Sequence, residues 1–174
     1  KDFWKGKYGP MLIAEIGGNH EGNFNYAKKL VKLAIKSGAD VIKLQIYEGA
    51  SLVSHVESPK RFKHFNKFEL TKKQHLEIAK ICKKANKIYL SSVWDVNSLK
   101  WIDKYLNFYK IGSGDLTAYP VIKEFCKRKK PIILSTGLST LNEIKNTINY
   151  IKNINSFYKN KKNIALLQCT SSYP

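Results

Sequence analysis

The sequence predicts an α/β protein, an incomplete (β/α)8 TIM barrel with about six βα units. Three observations predict it. Short apolar runs alternate along the chain with amphipathic segments. The runs have strand length, and most are separated by segments with helical spacing. Each run also carries a polar residue near its C-terminal end, read with period 2. Strands joined by helices imply a parallel sheet with right-handed crossovers. An open doubly wound sheet and a barrel both fit that much. The polar strand ends favour the barrel, which gathers all its strand ends at one mouth. An open sheet confines its ligand near one switch point.

The runs are "MLIAEIG" (11–17), "VIKLQIY" (41–47), "IYLSSVW" (88–94), "FYKIGSG" (108–114), "PIILSTG" (131–137) and "NIALLQCTS" (163–171). Their polar members are Glu15; Lys43 and Gln45; Ser92; Lys110 and Ser113; Ser135; and Ser171. Between the first two runs, "NYAKKLVKLAIKSG" places Ala27, Leu30, Val31, Ala34 and Ile35 on one helical stripe and stops at Gly38. "TKKQHLEIAKICKKAN" (71–86) and "TLNEIKNTINYIKN" (140–153) have the same texture. Thr140 with Glu143 matches a capping box.

The chain has 174 residues, 43% of them hydrophobic, enough for one sizeable core. No apolar run approaches the roughly 18 residues of a membrane span. The first ten residues are charged and Gly-rich, unlike a signal peptide. The opening residue is Lys rather than Met, so a missing start is expected. The net charge of +18 invites a nucleic-acid reading. Against it, only Arg61 and Arg128 are Arg, and the Lys residues are scattered over helices and loops. Cys82, Cys126 and Cys169 form no CxxC pair and read as reduced, mostly buried thiols.

Lys43 and Gln45 stand two apart in a strand that otherwise reads as buried, so both point to one side. A buried ammonium group needs a partner or a ligand. An ion pair with Glu15 on the neighbouring strand is one answer, and it is compatible with a catalytic role. A bound anion is another. Lys110 comes from a different strand toward the same mouth. Two ammonium groups there repel unless a phosphate or carboxylate lies between them. Ser92, Ser113 and Ser135 add hydroxyl donors, and the glycines of "IGSGD" and "STG" let backbone N–H groups approach. The loop "GGNHEGN" is not GxGxxG, so no dinucleotide site is expected. His20 lacks a spaced partner and reads as a polar surface or hydrogen-bonding residue.

With these residues in view, "IAEIGGNHEGN", "GADVIKLQIY", "YKIGSGD", "PIILSTG" and "LLQCTSSYP" resemble, in order and rough spacing, the sialic acid synthase family. That family includes N-acetylneuraminate, legionaminate and pseudaminate synthases and spore-coat polysaccharide homologues. The resemblance covers residues 10–174. It implies a (β/α)8 domain, usually followed by an antifreeze-like domain. It also implies condensation of phosphoenolpyruvate with an N-acyl hexosamine of the N-acetylmannosamine type, releasing phosphate by C–O cleavage.

Carried over by motif, the resemblance places Lys43, Gln45, Ser92, Lys110, Ser113, Ser135 and Ser171 around phosphoenolpyruvate. Tyr173 matches a residue lining the sugar site. Glu15 and Asp115 match the catalytic acidic positions, and which of them relays the water's proton stays open. A divalent metal, Mn2+ or Mg2+, is implied, with no ligand set in this chain and a His pair expected beyond Pro174. His20, His55, His64 and His75 do not match those ligands. Two features depart from the family. "SSVWD" stands where many members have Ser-Thr/Ser-Pro-Phe, and Ser171 stands where some have Asn. A cytoplasmic homodimer is expected of the full-length protein, with no nucleic acid or membrane partner. Residues 1–174 read as the N-terminal part of the barrel, inactive alone, with the last strands and the antifreeze-like domain absent. The alternatives are a related 3-deoxy-sugar-acid phosphate synthase and a basic binding module without catalysis.

Overall fold

The computed structural model describes residues 3–172. The chain divides into two compact units, Trp4–Leu106 and a second that holds Phe3 and residues 107–172.

The first unit runs β1 (Ile13–Gly17), α1 (Phe24–Lys36), β2 (Val41–Ile46), α2 (Gly49–Leu52), α3 (Pro59–Phe68), α4 (Lys72–Lys84), β3 (Ile88–Val93) and α5 (Val96–Ile102). Its strands pair in parallel in chain order, β1 with β2 and β2 with β3. Val41, Ile42, Leu44, Leu90 and Val93 are buried, as near-continuous apolar strands covered on both faces should be. Helix α1 starts where Asn23 Oδ1 accepts the Tyr26 N–H at 3.0 Å. It buries Ala27 and Val31, two members of the predicted stripe. Helix α4 starts with a full capping box between Thr71 and Gln74 and buries His75, Ile78, Ala79 and Cys82.

The second unit runs β4 (Tyr109–Ile111), a 3-10 turn at Ser113–Asp115, α6 (Tyr119–Cys126), β5 (Ile132–Ser135), α7 (Leu141–Ile154) and β6 (Ile164–Leu167). Here too the strands are parallel and in chain order. The Thr140–Glu143 capping box forms as predicted. Helix α7 is fastened by Thr147 Oγ1, which donates to Leu116 O at 3.0 Å, and by the buried Ile151. Neither unit reverses its strand order, as a doubly wound sheet does at its switch point. The succession is that of consecutive βα units of a barrel.

The differences from expectation are local. The run at 108–114 yields only a three-residue strand, because Gly112 starts the tight turn at Ser113–Asp115. Helices α2 and α3 were not foreseen. The α3 segment is too polar to show a stripe and buries no residue of its own, though Pro59 at its first turn is a start signal. Among the described residues no helix is long and apolar enough to cross a membrane.

Candidate functional site

In the first unit the polar strand ends form one cluster. Glu15 and Lys43 are register partners of β1 and β2, and Glu15 Oε2 lies 2.6 Å from Lys43 Nζ. Gln45 and Ser92 are register partners of β2 and β3, two residues further along. The ladder slips between Glu15 and Gly17, and Gly17 takes a φ of +53° that favours glycine. A methyl group there would meet Glu15 Oε1 at 3.2 Å and Gln45 Nε2 at 3.7 Å, so carboxylate and amide flank the same backbone turn. Lys43 is 6% exposed, as its apolar strand demands. Glu15 lies within β1 and makes the expected ion pair with Lys43, and it is the exposed partner of the two.

His20 is buried rather than on the surface, and it is the hydrogen-bonding residue of its other reading: its Nδ1 accepts the Gly22 N–H at 3.1 Å. Burial depresses its basicity. His75 on α4 is buried as well, and its Nδ1 lies 3.3 Å from the Tyr89 hydroxyl. Burial first, and the charge of His20 second, push the His75 pKa down to about 3. Both imidazoles are thus neutral parts of the interior. Among the described residues no group of three His, Cys, Asp or Glu could hold a metal ion. These residues therefore do not fit a divalent metal by themselves.

In the second unit Lys110 Nζ donates to Ser135 Oγ at 2.6 Å and to Ile111 O at 3.1 Å. Register explains the reach: Lys110 faces Ile133 across the ladder, and Ser135 is the next residue on that side of β5. The Gly137 N–H donates to Ser113 Oγ at 3.0 Å. A methyl group at Gly137 would collide with Ser171 Oγ and lie 3.0 Å from Ser113 Oγ and 3.2 Å from Cys169 Cβ. Hydroxyls from the ends of β4 and β6 therefore close on a bare glycine after β5. Ser171 itself has a φ of +37°, an uncommon conformation for a residue with a Cβ. Burial raises the Asp115 pKa, and the Lys110 charge only partly offsets this.

Cys169 belongs to this group, and sequence reading passed it over as a bland thiol. The Ser135 hydroxyl lowers its pKa most. Burial opposes the shift, while the Thr136 N–H, the Ser113 hydroxyl and the Lys110 ammonium add to it. Its place two residues before Ser171 was the available signal. Cys82 and Cys126 are buried, with thiols pushed up to about 12, as inert core cysteines should be. Tyr173 lies outside the described residues.

Parallel βα units with charged and hydroxyl groups at their C-terminal strand ends are a frame that many enzymes share. The model of the NeuB family, however, matches residues 30–174. The chain belongs to the NeuB family. Its relatives include the N,N'-diacetyllegionaminic acid synthase of Campylobacter jejuni subsp. jejuni serotype O:2, 34% identical over 94% of this chain and 52% of that protein. The N-acetylneuraminate-9-phosphate synthase of Drosophila melanogaster is 29% identical over 94% of this chain and 46% of that one. The N-acetylneuraminic acid (sialic acid) synthetase from Leptospira borgpetersenii serovar Hardjo-bovis, solved in complex with citrate, superposes with a TM-score of 0.84 at 27% identity. It matches 94% of this chain and 55% of its own. The chain thus spans about half the length of the curated relatives it matches. The likeness bears out both the sialic acid synthase resemblance and the incomplete barrel. Within this NeuB chain, the predicted residues gather as Glu15, Lys43, Gln45 and Ser92 in the first unit. Lys110, Ser113, Asp115, Ser135 and Ser171 gather in the second.

Proposed function

We propose that the full-length protein is a cytoplasmic nonulosonic acid synthase that condenses phosphoenolpyruvate with an N-acyl hexosamine. One observation carries the reading. Lys110 is held by a hydroxyl at a parallel strand end, beside further hydroxyls and a glycine whose N–H points into the same group. That is an anion-binding chemistry. Family membership and the citrate-bound relative support it.

In this reading Lys43, Gln45, Ser92, Lys110, Ser113, Ser135 and Ser171 bind the phosphoenolpyruvate. The lysines offset its negative charge, which grows on the phosphate as that group departs. The enolpyruvate methylene attacks the aldehyde carbon of the open-chain sugar. Water adds at the pyruvyl C2, and phosphate leaves with its bridging oxygen. Glu15 or Asp115 accepts the proton of that water. Asp115 is the better-suited base, because burial raises its proton affinity and Glu15 is already tied to Lys43. The active form is a homodimer. The divalent metal of the full-length enzyme, Mn2+ or Mg2+, is held by residues outside this chain.

The test uses the full-length protein, N-acetylmannosamine, and phosphoenolpyruvate labelled with 18O at the bridging position. The label is expected in inorganic phosphate. Label retained in the sugar acid, or no phosphoenolpyruvate consumption with any N-acyl hexosamine, overturns the reading.

A further inference from the structure

An aromatic group stands just past the polar ends of β2 and β3. Gln45 and Ser92 are register partners, and Tyr47 and Trp94 are the next residues along the same side. The ladder continues that far, since the Trp94 N–H donates to Ile46 O at 3.1 Å. The Tyr47 and Trp94 rings stack, with centroids 5.1 Å apart and planes inclined by 19°. Phe65 of α3 stands edge-on to both, at 5.5 Å and 83° from Tyr47 and at 6.4 Å and 79° from Trp94. The members differ in burial. Tyr47 is only 8% exposed, and burial pushes its pKa up to about 12. Trp94 is partly exposed. Tyr47 and Phe65 fix the indole, and Trp94 keeps surface to offer.

We propose that Trp94 is a specificity-determining residue, the wall against which the acceptor hexosamine lays its C–H-rich face. The proposal rests on the synthase reading and assigns this end of the site to one of the two substrates. Two strand residues rise about 6–7 Å. A substrate held at the polar pair therefore has its co-substrate's place at the aromatic pair. A compact polyanion such as phosphoenolpyruvate gains nothing from the negative face of an indole. An N-acyl hexosamine has an apolar ring face and an acyl methyl group, which suit a rigid aromatic surface beside a few placed polar groups. The neighbouring carboxylate agrees. Glu69 Oε2 accepts the Gly49 N–H at 2.7 Å and bears on the Tyr47 phenol, so this flank repels a second polyanion.

The experiment compares wild-type full-length protein with Trp94→Ala, Trp94→Phe and, as a control, Trp101→Phe. Each is first checked for a cooperative unfolding transition. Trp94→Ala is expected to raise the KM for N-acetylmannosamine about tenfold while leaving the KM for phosphoenolpyruvate within about twofold. Trp94→Phe should restore most of the loss, because a phenyl ring still offers a face. In the absence of phosphoenolpyruvate, titration with N-acetylmannosamine should change the tryptophan emission of the wild type and Trp101→Phe but not of Trp94→Phe. A folded Trp94→Ala protein with unchanged sugar KM, or with both KM values raised together, overturns the proposal. So does a sugar-dependent emission change that survives in Trp94→Phe. If the wild type makes no sugar acid, the synthase reading fails, and the emission titration still decides for or against a sugar at Trp94.

Discussion

Lys43 Nζ and Glu15 Oε2 lie 2.6 Å apart, yet the lysine side chain is 8% exposed and the glutamate side chain 48%. The desolvation cost of the pair therefore falls almost wholly on the ammonium group. Removing either partner should have a different consequence. Glu15→Gln leaves a buried charge without its counter-ion and should cost about 1–2 kcal/mol, between the values for exposed and buried pairs. Lys43→Met removes the charge while filling its volume and should change stability by less than about 1 kcal/mol. The same variant should lower kcat/KM for phosphoenolpyruvate by at least about a hundredfold. Urea unfolding and steady-state kinetics check the pair together. A Lys43→Met enzyme with normal turnover would remove the residue from the substrate site.

Asp115 sets the acid side of the activity profile if it is the base. Burial raises its pKa above the ordinary 3.8, so its carboxylate form appears later as pH rises. The acid limb of kcat/KM should therefore lie above the ordinary carboxylate range. Asp115→Asn should remove that limb and lower the plateau by about 100- to 10,000-fold, the usual worth of a positioned base. A pH profile of the full-length enzyme and the variant checks this. An unchanged limb in Asp115→Asn would move the role to Glu15.

The His75 imidazole makes the first unit acid-sensitive. In the unfolded chain it takes up a proton below about pH 6.5, whereas in the folded chain it resists protonation down to about 3. Between those values the unfolded state binds more protons, so stability falls as pH falls. From pH 7 to pH 5 this single group should remove about 2 kcal/mol. His75→Gln, which can still meet the Tyr89 hydroxyl, should lose correspondingly less over the same interval. Chemical unfolding at the two pH values gives the comparison.

Gly22 combines two constraints. Its φ is +80°, and a methyl group on it would collide with the carbonyl oxygen of Lys67 in α3. Gly22→Ala should therefore cost more than about 2 kcal/mol, since both the conformation and the space are wrong. Hydrogen exchange should show the loss concentrated at 18–23 and 59–68. A uniform, sub-kilocalorie effect would contradict the packing.

Periodicity made the strands, the α1 stripe and the second capping box legible, because each is a local pattern repeated over several residues. The Glu15–Lys43 pair was legible too, because a buried lysine in an apolar strand asks for a carboxylate nearby. Cys169 was not, since its perturbation comes from Ser135 and Ser113, which lie far away in sequence. The burial of His20 was hidden for the same reason. A lone loop histidine carries no sign of burial until the turn around Gly22 closes over it. Helix α3 was missed because it shows no apolar stripe and is held by contacts with α2 and by aromatic edges rather than by a buried face of its own.

The bare backbone at position 137 has a practical corollary for anyone reshaping this pocket. Three side chains crowd the space that even alanine would need, and two of them are hydroxyls that the proposed chemistry uses. A saturation library at that codon would enrich the parent residue alone, and its dropouts would lose turnover well before they lost the ability to fold. Variation intended to widen the substrate range belongs instead at Trp94, where one ring can be exchanged for another.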